Sequence, residues 1–102
     1  MAMTEKALQT AVIDLAKWSG WMVWHDNDSR RNSPGWPDLV LVHTRTGRMV
    51  FAELKSEVGR VRPEQHLWLR LLGMRHETYI WRPSDWDSGS IRSAIAKERL
   101  AA

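Results

Sequence analysis

The chain contains no cysteine, which excludes disulfides and any thiolate-bound metal and is compatible with a reducing compartment. It has no apolar run approaching the roughly 20 residues that a membrane helix needs, so no membrane partner is expected. The N-terminus lacks the basic segment and apolar core of a secretory signal, which points to a soluble, intracellular protein. No repeat or low-complexity segment breaks the sequence. The four histidines show neither an i, i+4 pairing nor a cysteine partner, so they offer no zinc-site pattern.

What is present suits one compact α/β domain. The 102 residues are 43% hydrophobic and include seven Trp, enough for one modest core with little room for a second. A single domain over 1–102 is expected, with its core at about 4–82 and a helical extension at 83–102. The formal charge is +3, and eleven of the fifteen cations are Arg, whose planar fork matches phosphate. A polyanionic partner and a merely solvated basic surface both fit that total.

Apolar residues Leu8, Val12 and Leu15 recur at helical spacing from Glu5 to Ser19, after Thr4 as N-cap and before Gly20. Glu5 extends this stripe at the first turn. Trp21–His25 reads as a strand, and Asp26–Gly35 as a mobile basic loop carrying Arg30 and Arg31. Leu39–Val42 and Met49–Ala52, separated by a polar turn with Gly47, predict an antiparallel hairpin. Pro37 sits where a strand begins, a position at which its missing N–H does no harm.

A second loop with Arg60 and Arg62 precedes a helix opened by Pro63 and Glu64. Leu67, Trp68, Leu71 and Leu72 are expected on its inner face. Thr78–Arg82 reads as a fourth strand, and Pro83-Ser84-Asp85 leads through a glycine-containing stretch to a C-terminal helix from about Ile91. Helix, three strands, helix, strand, helix implies a small mixed sheet flanked by helices. Trp18, Trp21, Trp24, Trp68 and Trp81 fall inside elements and are expected in the core. Trp36, beside Asp38, is the one suspected of touching nucleic acid.

Two carboxylates border the hairpin, Asp38 before its first strand and Glu53 on its second, with Lys55 two residues on. A carboxylate on an apolar strand carries a penalty unless a cation, a hydrogen bond or a metal compensates it. The residues alone leave two readings: a metal site, or an ion pair of Lys55 with Glu53 or Asp38. Glu5 likewise fits a dipole partner or a ligand.

Glu5, Gly35-Trp36-Pro37-Asp38, Glu53-Leu54-Lys55 and Gln65 together resemble the PD-(D/E)XK nuclease superfamily, and within it the virus-type replication-repair nuclease (VRR-NUC) family. The resemblance spans about Glu5 to Trp81. It implies a restriction-endonuclease-like αβββαβ core and a Mg²⁺- or Mn²⁺-dependent endonuclease acting on duplex or branched DNA in replication, recombination or repair. It also implies a homodimer, in a bacterial or phage-infected cell. Mg²⁺ prefers oxygen ligands and keeps several waters, so one or two carboxylates suffice to hold it.

On this resemblance Asp38, Glu53, the Leu54 backbone carbonyl and Glu5 are the implied metal ligands. Lys55 and Gln65 are implied in catalysis. Arg30, Arg31, Arg60 and Arg62 bracket this site in sequence and, with Trp36, are expected to bind nucleic acid, solvated loop arginines being the alternative. The segment between the first strand and Pro37 is shorter than in many family members. A silent DNA-binding module of this fold and an RNA-directed nuclease are the alternatives.

Overall fold

A computed structural model of the chain describes residues 3–26 and 33–96. Its elements are α1 (Glu5–Trp18), β1 (Trp21–His25), β2 (Leu39–His43), β3 (Met49–Leu54), α2 (Pro63–Leu72), β4 (Glu77–Trp81), α3 (Pro83–Asp87) and α4 (Ser90–Ile95). The four strands form one sheet in the order β1-β2-β3-β4. β1 and β3 each run antiparallel to β2, while β4 runs parallel to β3. The parallel pair needs a crossover, and α2 supplies it. The fold is thus a mixed α/β architecture with a four-stranded mixed sheet flanked by helices.

Register decides which side chains share a face, because directly opposed residues point the same way. Leu39 faces Ala52 and Leu41 faces Val50, and with Leu54 these five are fully buried. Leu8, Val12 and Ala16 of α1 cover this face together with Ile91 and Ile95 of α4. The Thr4 side chain caps α1 by accepting from the Ala7 N–H at 3.0 Å. The Trp21 indole N–H donates to the Ile95 carbonyl at 2.7 Å, so the C-terminal helix is fastened to the first strand. Residues expected to form an extension therefore complete the core.

The opposite face carries Asp38, Val40, Phe51 and Glu53, and α2 lies over its β3–β4 half. Covered on both sides, Val50–Leu54 is buried throughout.

Three sequence expectations change. The inner face of α2 is built from Gln65 and Leu69, with Trp68 and Leu72 half-buried, whereas Leu67 and Leu71 are exposed. Residues 65, 68, 69 and 72 form one helical stripe, and the polar side chain in it hid the true phase. The tryptophans divide: Trp21 and Trp81 are buried, Trp68 is half-buried, but Trp18 is 62% exposed and Trp24 42%. Trp24 points to the face that α2 leaves open. Finally, Pro83–Asp87 is itself a short helix, opened by Pro83 at its first turn, and α4 begins at Ser90.

Candidate metal centre

Pro37 is buried at the foot of β2 and delivers Asp38 to the sheet. Because Leu39 opposes Ala52, Asp38 opposes Glu53 one step along the ladder. Opposed antiparallel residues keep their Cβ atoms about 4.5–5.5 Å apart on one face. The Asp38 Oδ2 accepts from the Leu54 N–H at 2.8 Å, which ties the two strand ends together.

Glu53 is only 3% exposed. Its Oε2 accepts from the Gln65 side-chain amide at 2.7 Å and lies 3.7 Å from the Lys55 ammonium. Its Oε1 is buried with no hydrogen-bond partner. Gln65 has its other end occupied as well, since its Oε1 accepts from the Arg62 N–H at 2.8 Å. This fixes the amide orientation: the backbone N–H can only donate, so the Gln65 nitrogen must face the carboxylate.

Burial, and then the negative charge of Asp38, push the Glu53 carboxyl up to about 8 against the pull of Lys55. Asp38 is also raised, chiefly by burial, while the Leu54 N–H opposes the shift. Two adjacent carboxyls thus lack positive charge, and one ammonium does not compensate both. A hard divalent cation bound by oxygen suits that deficit, and the unpartnered Oε1 of Glu53 gives it a ligand atom. Asp38 and Glu53 fit the role expected of them. The ion pair foreseen as the other reading of these charges exists too, yet it engages only Oε2.

The remaining expected residues divide. Glu5 continues the α1 stripe, but its side chain is exposed. Among the described residues no group of three or more His, Cys, Asp or Glu side chains converges on a metal position. The structure therefore does not bring Glu5 to Asp38 and Glu53. The reason is geometric: α1 covers the face of the sheet opposite to theirs.

A cavity of about 210 Å³ opens beside the carboxylates, lined by Asp26, Trp36, Asp38, Arg62 and Gln65 among others. Arg62 is exposed at its rim, 3.4 Å from Glu64, and Arg60 is also exposed. Arg30 and Arg31 lie outside the described residues. Trp36 lines the cavity but is half-buried, with its ring in edge contact with Trp24, Phe51 and Trp68. Packing therefore engages part of the ring expected to contact nucleic acid.

Sequence reasoning missed Asp26 here and gave Gly35, part of the motif ending in Asp38, no role of its own. Asp26 donates its N–H to the Asp38 carbonyl at 3.1 Å, and its charge contributes to the rise of Asp38. The β1–β2 register, once drawn, would have placed it beside Asp38. Gly35 adopts φ +87°, and a Cβ there would fall 2.5 Å from the Glu64 carbonyl carbon and oxygen. The loop before Asp38 thus presses directly on the start of α2.

The model of the VRR-NUC domain matches residues 2–82. The chain belongs to the VRR-NUC family. Its fold is similar to that of two solved structures, one described as a VRR_NUC domain and the other as a VRR_NUC domain protein. The first has 20% identity and a TM-score of 0.62 over 85% of this chain and 95% of that one. The second has 17% identity and a TM-score of 0.57 over 80% and 79%. No curated protein matches the sequence. Membership in the VRR-NUC family implies a nuclease-type fold, and Asp38, Glu53, Lys55 and Gln65 all lie within the matched residues. The helix that closes the core, α4, lies beyond them.

Proposed function

We propose that this VRR-NUC domain is a Mg²⁺- or Mn²⁺-dependent endonuclease that hydrolyses DNA phosphodiesters, with a preference for branched substrates. The observation that carries the proposal is the buried, unpartnered Oε1 of Glu53 beside Asp38. Asp38 and Glu53 hold the ion, with the Leu54 carbonyl as a third ligand. When bound, such an ion supplies the Lewis acidity that a phosphodiester needs in order to be attacked.

The protein's own groups do the rest. Gln65 occupies Oε2 of Glu53 and so keeps Oε1 free for the ion. The Lys55 ammonium stands 3.7 Å from the same carboxylate, where it stabilises negative charge developing on the phosphoryl oxygens and orients the attacking water. Arg60 and Arg62, with Arg30 and Arg31, neutralise flanking phosphates. Cutting both strands of a branched substrate requires two symmetric sites, so the active species is a homodimer. Light scattering of the active protein tests this, and a monomer that still resolves junctions would refute it.

Plasmid, flap and four-way-junction DNA, with RNA as competitor, are incubated with the protein with and without Mn²⁺. Metal-dependent cleavage that disappears in Lys55→Ala, while folding and DNA binding persist, supports the reading. Wild-type turnover in Lys55→Ala removes the role given to the ammonium. The absence of Mn²⁺-dependent cleavage of any DNA removes the function.

A further inference from the structure

Directly after Lys55 the chain makes a tight turn, with the Gly59 N–H donating to the Ser56 carbonyl at 3.3 Å. This turn belongs to no helix or strand, yet it is held firmly from a distant part of the chain. The Arg82 Nη1 donates to the Ser56 carbonyl at 2.7 Å and the Gly59 carbonyl at 2.8 Å, with a longer contact of 3.4 Å to the Glu57 carbonyl. A cation gathering carbonyl oxygens makes charge-assisted hydrogen bonds, stronger than neutral ones.

Neighbouring bonds pull the same way. The Ser84 N–H donates to the Glu57 carboxylate at 3.0 Å, and the Arg82 N–H donates to Asp85 at 2.8 Å. Just before the turn, the Lys55 N–H donates to the Trp81 carbonyl at 3.0 Å. Lys55 and Arg82 thus leave adjacent strands side by side.

The turn lies against the Lys55 side chain: a Cβ built on Gly59 would sit 3.6 Å from the Lys55 Cδ. A lysine stem has many rotamers, so an ammonium held beside a buried carboxylate needs its stem confined. The turn provides that wall, and Arg82 holds the wall in place.

We propose that Arg82 is a positioning residue for DNA cleavage. It clamps the Ser56–Gly59 turn onto the Lys55 stem, so that the ammonium stays beside Glu53. The inference rests on the nuclease reading above. Arg82 acts through Lys55 and the turn, its guanidinium being committed to the turn's carbonyls, so its replacement lowers kcat and leaves substrate affinity nearly intact.

The test compares wild type, Arg82→Gln and Arg82→Lys in Mn²⁺-dependent plasmid cleavage, with amide hydrogen exchange on the same samples. Arg82→Gln is expected to lower kcat by about 10- to 100-fold, the scale set by small displacements of a reacting group, with KM little changed. Exchange is expected to quicken at Glu57–Gly59 while the sheet stays protected. Arg82→Lys, which keeps a cation able to reach one carbonyl, recovers part of kcat.

Wild-type kcat in Arg82→Gln overturns the proposal. So does a reduced kcat accompanied by faster exchange throughout the sheet and no recovery in Arg82→Lys, because Arg82 would then only hold the fold together. If the wild type itself cleaves nothing, the nuclease reading fails and takes this inference with it. If the wild type cleaves and Arg82→Gln cleaves equally, only this inference fails.

Discussion

Glu53 combines three conditions seldom found together on one side chain: near-complete burial, one oxygen without a partner, and a neighbouring carboxylate across the strand. Their consequence in the metal-free protein follows from linkage. A folded value near 8 lies above the ordinary 4.5, so the folded state keeps a proton that the unfolded state releases. The stabilisation is complete below the unfolded value and is lost as pH rises through about 8. Asp38 is shifted in the same direction. In EDTA, stability should therefore fall between pH 5 and 8, on the order of 1 kcal/mol per pH unit or several degrees of Tm. Thermal melts across that range check this. Glu53→Gln should flatten the decline, and an equal decline in that variant would place its origin elsewhere.

At the scale of elements, the packing of the Ser33–Trp36 loop on α2 couples the two halves of the site. Gly35 sits against the Glu64 backbone at a positive φ, whereas Gly47 has φ +71° and open space around it. Gly47→Ala should cost only the left-handed strain, about 1–2 kcal/mol. Gly35→Ala adds a backbone collision that must push α2, and with it Gln65, away from Glu53. Urea denaturation should show the larger destabilisation for Gly35→Ala, and equal effects would mean that the loop yields freely.

The hairpin, with Asp38 and Glu53 bordering its strands, was legible because alternation and helical spacing are written in apolar residues. The phase of α2 was not, since its key inward residue is a glutamine held by two hydrogen bonds. Nor were Asp26 and Arg82, whose neighbours come from strand pairing rather than from the adjacent sequence. Glu5 was read onto the correct stripe, but its helix covers the other face of the sheet.

For the whole molecule, the +3 charge matters by where it is placed. Arg62 lines the cavity rim and Arg60 is exposed close by in sequence, so under the proposed function both would meet phosphates flanking the cleaved bond. Replacing both with Gln should reduce the slope of log affinity against log salt by about 0.9 for each duplex phosphate that is no longer neutralised. Fluorescence titrations at several salt concentrations measure it, and an unchanged slope would return both residues to plain surface. Among the described residues no helix is long and apolar enough to cross a membrane.

On the proposed function, Asp38 and Glu53 share a divalent ion. Calorimetric titration of the DNA-free protein with Mn²⁺ tests that directly, alongside Asp38→Asn and Glu53→Gln variants whose circular dichroism confirms folding. Saturable binding is expected for the wild type, with affinity weakened at least about tenfold in both variants. Equal Mn²⁺ affinity in all three proteins would contradict the claim.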